Sequence, residues 1–232
     1  MTKITFFLLI FGILLFNNQG YSQNQPDLCQ WSEFTLEKKL SKKLSLEFEE
    51  EVRFDQNISR FDLLHSSIGL NYRLIKELRF AFAYRFTGDY TINDKFSYRH
   101  RLSFDALYRY GLQNLTFTYR SRIQSEIKNY YSSPNGKYPA WVWRNKLTAK
   151  YSFKKTSPFI GAELFYQIYN TRNIDQNLSW PKQRAFVGFD YKINKRNEVG
   201  ASFKLQRGVD DIDPKEYNVI GFSYTYIFSN KK

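Results

Sequence analysis

Three polar residues stand in otherwise apolar stripes: His100, Ser121 and Asn145. An imidazole can act as general base to a serine nucleophile, and an asparagine can orient the imidazole, a set suited to acyl transfer. The three fall on consecutive segments of period two. A tight turn near Gly111 predicts His100 opposite residue 123, beside Ser121, with Asn145 at about the same level on the next segment. Glu50 and Ser66 interrupt similar stripes. Other chemistries have less to build on. Two histidines, His65 and His100, and one cysteine, Cys29, do not make a usual zinc site. Asp210, Asp211 and Asp213 lack calcium-loop spacing and read as a solvated acidic loop. The sequence holds neither a Gly-rich phosphate loop nor a Gly-x-Ser-x-Gly elbow. No metal and no cofactor is expected.

The elements that must position these residues are strands. From Trp31 onward the side chains alternate. Leu44, Leu46, Phe48 and Val52 alternate with Ser45, Glu47, Glu49, Glu51 and Arg53. Phe96, Tyr98, Leu102, Phe104, Ala106 and Tyr108 alternate with Ser97, Arg99, Arg101, Ser103, Asp105 and Arg109. Successive strand side chains point to opposite faces, so each segment presents an apolar, aromatic-rich stripe and a charged one. The connections sort by length. Residues 41–43, 75–77, 111–112, 154–157 and 194–197 are short; 55–60, 91–94, 129–139, 171–181 and 208–216 are longer. Short-long alternation along a meander is the pattern of an outer-membrane barrel. The segments are also longer than the roughly 5–6 residues usual for soluble strands.

Composition is consistent with this. The chain has 232 residues, enough for a single barrel, and 19% are aromatic. The formal charge of +13 raises nucleic acid as a partner. The basic residues, however, are spread along strands and interleaved with Tyr and Phe instead of gathering on one helix or patch, which argues against that class. Met1 to Lys3 is a short positive region, residues 4–16 are an apolar run, and Gly20, Tyr21 and Ser22 offer a cleavage site. Residues 1–22 therefore read as a signal peptide, too short for a spanning helix. Residues 23–30 read as a flexible segment in which Cys29 is a free thiol. Residues 31–232 read as the barrel.

On this face assignment the lumen receives Arg79, Arg85, Arg99, Arg101, Arg109, Arg120, Arg122 and Arg144, with Lys146 and Lys150. Opposing them are Glu47, Glu49, Glu51, Asp105, Glu126, Glu163 and Asp190. These charges can pair across a narrow interior and hold the barrel together, which is favoured for so small a ring. Alternatively, the basic excess lines a small anion-attracting pore. One count stays open. Eleven segments are visible, starting at 31–40, whereas bacterial single-chain barrels have even strand numbers. Either 31–40 is not a full wall strand, or one strand is hidden, or residues 23–30 pass through the lumen.

The signal peptide, the Glu37 to Glu47 run, the repeated Tyr-Arg pairs (as at Tyr84-Arg85 and Tyr98-Arg99) and the aromatic last segment together resemble a family. It is an uncharacterised bacterial outer-membrane barrel family, domain of unknown function 2490. The resemblance covers nearly all of residues 23–232 and implies fold and location but no catalytic residues. The expected fold is all-β: a closed antiparallel up-and-down transmembrane β-barrel of 10–12 strands. The last segment carries Phe222, Tyr224, Tyr226 and Phe228 on one face. This resembles the C-terminal signal read by the barrel insertion machinery, although residues 229–232 follow the final aromatic. The other face, Gly221, Ser223 and Thr225, suggests room inside for a solute or the N-terminal segment. Expected partners are outer-membrane lipid and lipopolysaccharide, in the outer membrane. The expected role is structural, a small channel or surface binding. Alternatives are a lipid-face acyl hydrolase acting on phospholipid or lipid A, and a soluble periplasmic barrel binding protein. N-terminal sequencing of the exported protein is expected to begin at Gln23; retention of residues 1–22 would overturn the signal-peptide reading.

Overall fold

A computed structural model of the chain describes residues 26–90, 96–128, 138–171, 174–208 and 216–228. The strands are β1 (Asp27–Lys39), β2 (Leu44–Asp55), β3 (Arg60–Arg73), β4 (Leu78–Tyr90), β5 (Phe96–Leu112) and β6 (Leu115–Lys128). They continue with β7 (Ala140–Tyr151), β8 (Thr156–Tyr169), β9 (Ser179–Lys192), β10 (Asn197–Gly208) and β11 (Glu216–Phe228). Each strand pairs with its sequence neighbours, and β1 pairs with β11 to close the barrel.

Parity determines how it closes. In a meander of eleven strands the first and last run the same way, so the seam between them must be parallel. β1 and β11 are parallel over twelve residue pairs, from Asp27 with Tyr217 to Lys38 with Phe228, while every other pair is antiparallel. The 31–40 segment is therefore part of a full wall strand, and the strand number is eleven, within the expected 10–12. The expectation of a flexible 23–30 segment is also corrected from Asp27 onward. Cys29 sits in the wall, buried with Trp31 and Val219. Asp27 explains the order there. Its carboxylate accepts hydrogen bonds from the backbone N–H of Gln56 (2.9 Å) and Asn57 (2.8 Å), and Leu28 O accepts one from Ile58 N (3.0 Å). Gln56, Asn57 and Ile58 all have positive φ, 51°, 56° and 67°. The start of β1 is thus tied to an unusual left-handed turn between β2 and β3, whose inward N–H groups need an acceptor.

Polarity is inverted relative to a soluble fold. Phe82, Leu102, Phe104, Ile123, Leu147 and Val187 are all exposed on the outer face. Glu51, His65, Asp105 and Glu163 are buried inside. On β5 the outward Tyr98 and Tyr108 bracket Leu102 and Phe104. Ten residues of strand span about 34 Å. At a tilt of about 40° that becomes a band about 25 Å tall, the height of the apolar belt on outer-membrane barrels.

Where inward positions are not charged, glycines admit aromatic rings. A Cβ at Gly161 would lie 2.3 Å from Leu147 O and 2.4 Å from Phe186 Cζ; one at Gly188 would lie 2.4 Å from Ala201 O and 2.7 Å from Phe159 Cζ. Phe186 and Phe159 thus lie over Gly161 and Gly188 and fill the lumen toward the short-turn end. Because backbone oxygen is among the atoms met, the clash cannot be relieved by a rotamer. Gly161→Ala is expected to destabilise the folded barrel by about 1–3 kcal/mol, read as a lower temperature for loss of the compact form on heat-modifiable gels. An unchanged temperature would show that the wall gives way more easily than this packing implies.

Candidate functional site in the barrel lumen

The lumen is built by cross-strand neighbours of charged type. Arg120 on β6, Lys146 on β7, Glu163 on β8, Arg184 on β9 and Gln206 on β10 are successive register partners, so they form one inward row. Glu163 is its centre and is 1% exposed. It accepts from Arg120 Nη2 at 2.7 Å, Arg144 Nη2 at 2.9 Å and Arg184 Nη1 at 3.1 Å. Three guanidiniums from β6, β7 and β9 thus share one carboxylate. Arg184 also donates to Gln206 Oε1 at 2.6 Å. Around the ring Arg122 grips Asp105 with two hydrogen bonds of 2.6 and 2.7 Å. Arg85 meets Glu49 at 2.5 Å, Arg101 donates to Glu126 through Nε at 2.9 Å, and Arg53 pairs with Glu51.

Most of these charges, though not Asp105 or Glu126, border a cavity of about 550 Å3 that reaches Gly208 and Tyr217, at the end of the barrel where the longer connections begin. Toward the short turns lie smaller cavities of about 40 and 30 Å3. Lys146, Lys182 and Lys204 line the large cavity and make no ion pair among the described residues. Their ammonium groups sit instead over aromatic rings. Lys146 lies 4.6 Å from the centroid of Phe186, Lys182 lies 4.6 Å from that of Phe165, and Lys204 lies 4.8 Å from that of Trp31.

The structure brings several members of the lumen set together in ion pairs. Arg120, Arg144 and Glu163 come together, as do Arg122 with Asp105, Arg85 with Glu49, Arg101 with Glu126, and Lys150 with Asp190. Arg99 pairs with Asp89. Arg79 and Arg109 lie toward the short-turn end; Arg79 borders the 30 Å3 cavity, and Glu47 accepts from Asn71 at 3.4 Å. Sequence reasoning missed Lys182, Arg184, Lys204, Glu33, Trp31 and Phe165. The signal was present: Lys182 and Arg184 keep the period of two leading into outward Ala185 and Val187, Lys204 lies between outward Phe203 and Leu205, and the others hold equivalent inward positions on β1 and β8. The expectation of room beside β11 is corrected. A Cβ at Gly221 would meet Ser202 Oγ at 2.5 Å and Lys204 Nζ at 3.3 Å, so that space is taken by side chains, and β1 lies in the wall.

The His100–Ser121–Asn145 arrangement is also corrected. Ser121 does pair with Asn145, but His100 pairs with Ile127, six residues beyond Ser121 on β6. Six residues of strand amount to about 20 Å. The β5–β6 hairpin turns at Leu112 and Leu115, further along than Gly111, which shifts the register. Each group has another partner: His100 Nδ1 with Tyr84 Oη at 2.7 Å, Ser121 Oγ accepting from Trp143 Nε1 at 2.8 Å, and Asn145 Oδ1 accepting from Tyr119 Oη at 2.6 Å. These polar side chains are partnered by neighbouring aromatic residues, although Asn145 Nδ2 has no hydrogen-bond partner among the described residues.

Glu49, Glu51 and buried His65 form a compact group in which His65 Nε2 lies 3.5 Å from Glu51 Oε2 and 4.0 Å from Glu49 Oε1. Arg53 and Arg85 already bind these carboxylates, so a divalent cation here would enter beside two guanidiniums. The group belongs to the ion-pair network. Asp210, Asp211, Asp213, Tyr130 and Tyr131 lie outside the described residues.

With this geometry in place, comparison with known proteins is informative about lineage. The profile of a family described as "Protein of unknown function (DUF2490)" matches residues 30–209, from β1 through the end of β10. The chain belongs to the DUF2490 family. No curated protein matches it. Among solved structures it is similar to "LpxR from Salmonella typhimurium", with a TM-score of 0.53 and 8% identity over 84% of this chain and 87% of that one. It is also similar to a "Bacterial polysaccharide outer membrane secretin", with a TM-score of 0.48 and 12% identity over 82% of this chain and 77% of that one. At such identities the likeness to LpxR is one of fold alone. For this DUF2490 barrel the lumen network is the feature on which stability should turn. Replacing Glu163 by Gln leaves three guanidiniums without their shared counter-ion. The loss is expected to be about 3–5 kcal/mol, measured by urea unfolding of the refolded barrel; a loss below about 1 kcal/mol would show that Glu163 is not the hub.

Proposed function

We propose that this DUF2490 chain spans the outer membrane and acts as a binding receptacle at the cell surface, with a lumen narrowed by its charged and aromatic lining instead of an open channel. The observation that carries the reading is the inverted polarity of the wall: exposed Phe82, Leu102, Phe104 and Val187 outside, buried Glu51, Asp105 and Glu163 inside. A soluble barrel would turn the apolar stripe inward, because exposing contiguous apolar surface to water favours aggregation. The outward row Phe222, Tyr224, Tyr226 and Phe228 on β11 suits lipid and lipopolysaccharide contact and serves as the insertion signal. Its rings pack along the wall: Tyr224 on Phe34 at 5.6 Å and Tyr226 on Phe228 at 5.0 Å. The longer connections are assigned to the outer side and the short turns to the periplasm. The large cavity then faces the medium.

The receptacle reading rests on the cavity's place in the lumen. It lies toward the longer connections, guanidinium–carboxylate pairs between adjacent and next-adjacent strands line the wall beside it, and Arg184 from β9 reaches over Trp31 on β1. The lipid-face acyl hydrolase reading has no support from His100, Ser121 and Asn145, which do not meet. Two measurements test the proposal. The protein is expected to stay with membranes through sodium carbonate washing and to migrate anomalously on gels unless heated; release into the wash sinks the membrane reading. In planar bilayers it is expected to show no steady open-pore conductance at neutral pH, and large sustained steps would replace the receptacle by a channel.

A further inference from the structure

Charge balance inside the lumen is incomplete. Ten cations line the large cavity, seven arginines and three lysines. Among the described residues, the carboxylates that line the cavity or form an ion pair with its cations are six: Glu33, Glu49, Glu51 and Glu163 in the lining, with Asp105 and Glu126 reached by Arg122 and Arg101. The formal surplus among these groups is therefore four positive charges. A buried charge lacking a counter-ion is costly, and repulsion among neighbours adds to the cost.

The way the lysines are held matters as much as their number. Cation–π contact positions an ammonium group through the ring quadrupole but supplies no net negative charge. Lys182 over Phe165, Lys204 over Trp31 and Lys146 over Phe186 are thereby held in place without a direct ion pair among the described residues. The same contacts cover the rings. Arg53 and Arg184 also lie over Trp31, at 3.7 and 4.9 Å, so the indole face is not open to an aromatic ligand. Guanidinium forks are mostly committed to carboxylates, and the remaining donors are compact ammonium points, which bind phosphate as point charges.

We propose that the lumen cavity binds a small soluble molecule carrying two or more phosphate groups, with Lys146, Lys182 and Lys204 as its direct contacts. The proposal rests on the receptacle reading for how the ligand arrives, not for whether it binds. Two phosphate groups bring roughly three to four negative charges, which matches the surplus, and a cavity of about 550 Å3 lies within the usual range for small-molecule sites. A monocarboxylate would leave most of the surplus standing. A phosphorylated lipid offers the same chemistry, but the cavity lies behind the β7, β8 and β9 backbone, away from the lipid-facing surface.

The test is calorimetric titration of the refolded full barrel in detergent with inorganic triphosphate at low salt. One saturable site is expected, weakening as salt is raised. The combined variant Lys146→Gln, Lys182→Gln and Lys204→Gln should bind at least about tenfold more weakly while keeping the heat-modifiable gel shift. Triphosphate should raise the unfolding temperature of the wild type and not that of the variant. Removing the three charges should itself stabilise the ligand-free barrel at low salt, since repulsion is relieved. The proposal is overturned by absence of saturable binding, by a triple variant that binds as well as wild type, or by binding of phosphorylated-lipid micelles without binding of triphosphate. Because the titration is done in detergent, its failure is separate from failure of the carbonate-wash test.

Discussion

Closure of the sheet organises the molecule; in the proposed membrane setting a strand edge would have no water to satisfy its N–H and C=O groups. Closure is the only remedy available to a sheet, and with eleven strands closure demands that β1 and β11 run parallel. The consequences extend well beyond the seam. β1 must be a complete wall strand, so Cys29 and Trp31 are drawn into the wall and lumen instead of trailing from it. The chain before Lys39 must enter at the end where the longer connections lie. Asp27, by accepting the N–H groups of Gln56 and Asn57, ties that entry to the neighbouring hairpin.

Closing a small ring also sets the electrostatics. Alternation sends one residue in two to the interior, and at this strand number facing side chains can touch. The sequence places more Arg and Lys than Asp and Glu at those positions. The arginines take what carboxylate there is, with Glu163 shared among three of them. The lysines are left to aromatic rings. An interior made for stability alone would have no use for that surplus, since each uncompensated charge weakens the fold. A surplus that is tolerated, positioned over rings and placed in a cavity fits an interior suited to an anion.

Much of this was legible from residue order. The inward set, including Arg85, Arg120, Arg144, Asp105 and Glu163, follows from period two alone, since the geometry of one strand fixes which side each residue takes. The same rule applied to the inward positions of β9 and β10 also finds Lys182, Arg184 and Lys204. The proposed meeting of His100 with Ser121 failed for a different reason. Face is decided by parity, but level is decided by where a hairpin turns, and a turn displaced by a few residues moves a partner by about 20 Å.

The sequence by itself determined the class of structure and the two faces of its wall. These depend on local alternation and on the contrast between an apolar and a polar surrounding, which each short segment expresses independently. Only the tertiary structure decided the parallel seam, the register that separates His100 from Ser121, and the gathering of Arg120, Arg144 and Arg184 on Glu163. Those features depend on where hairpins turn, where the bulges near Trp141 and Phe165 shift the pairing, and how many strands the ring must hold. Each is a sum over the whole chain, and no single segment contains it.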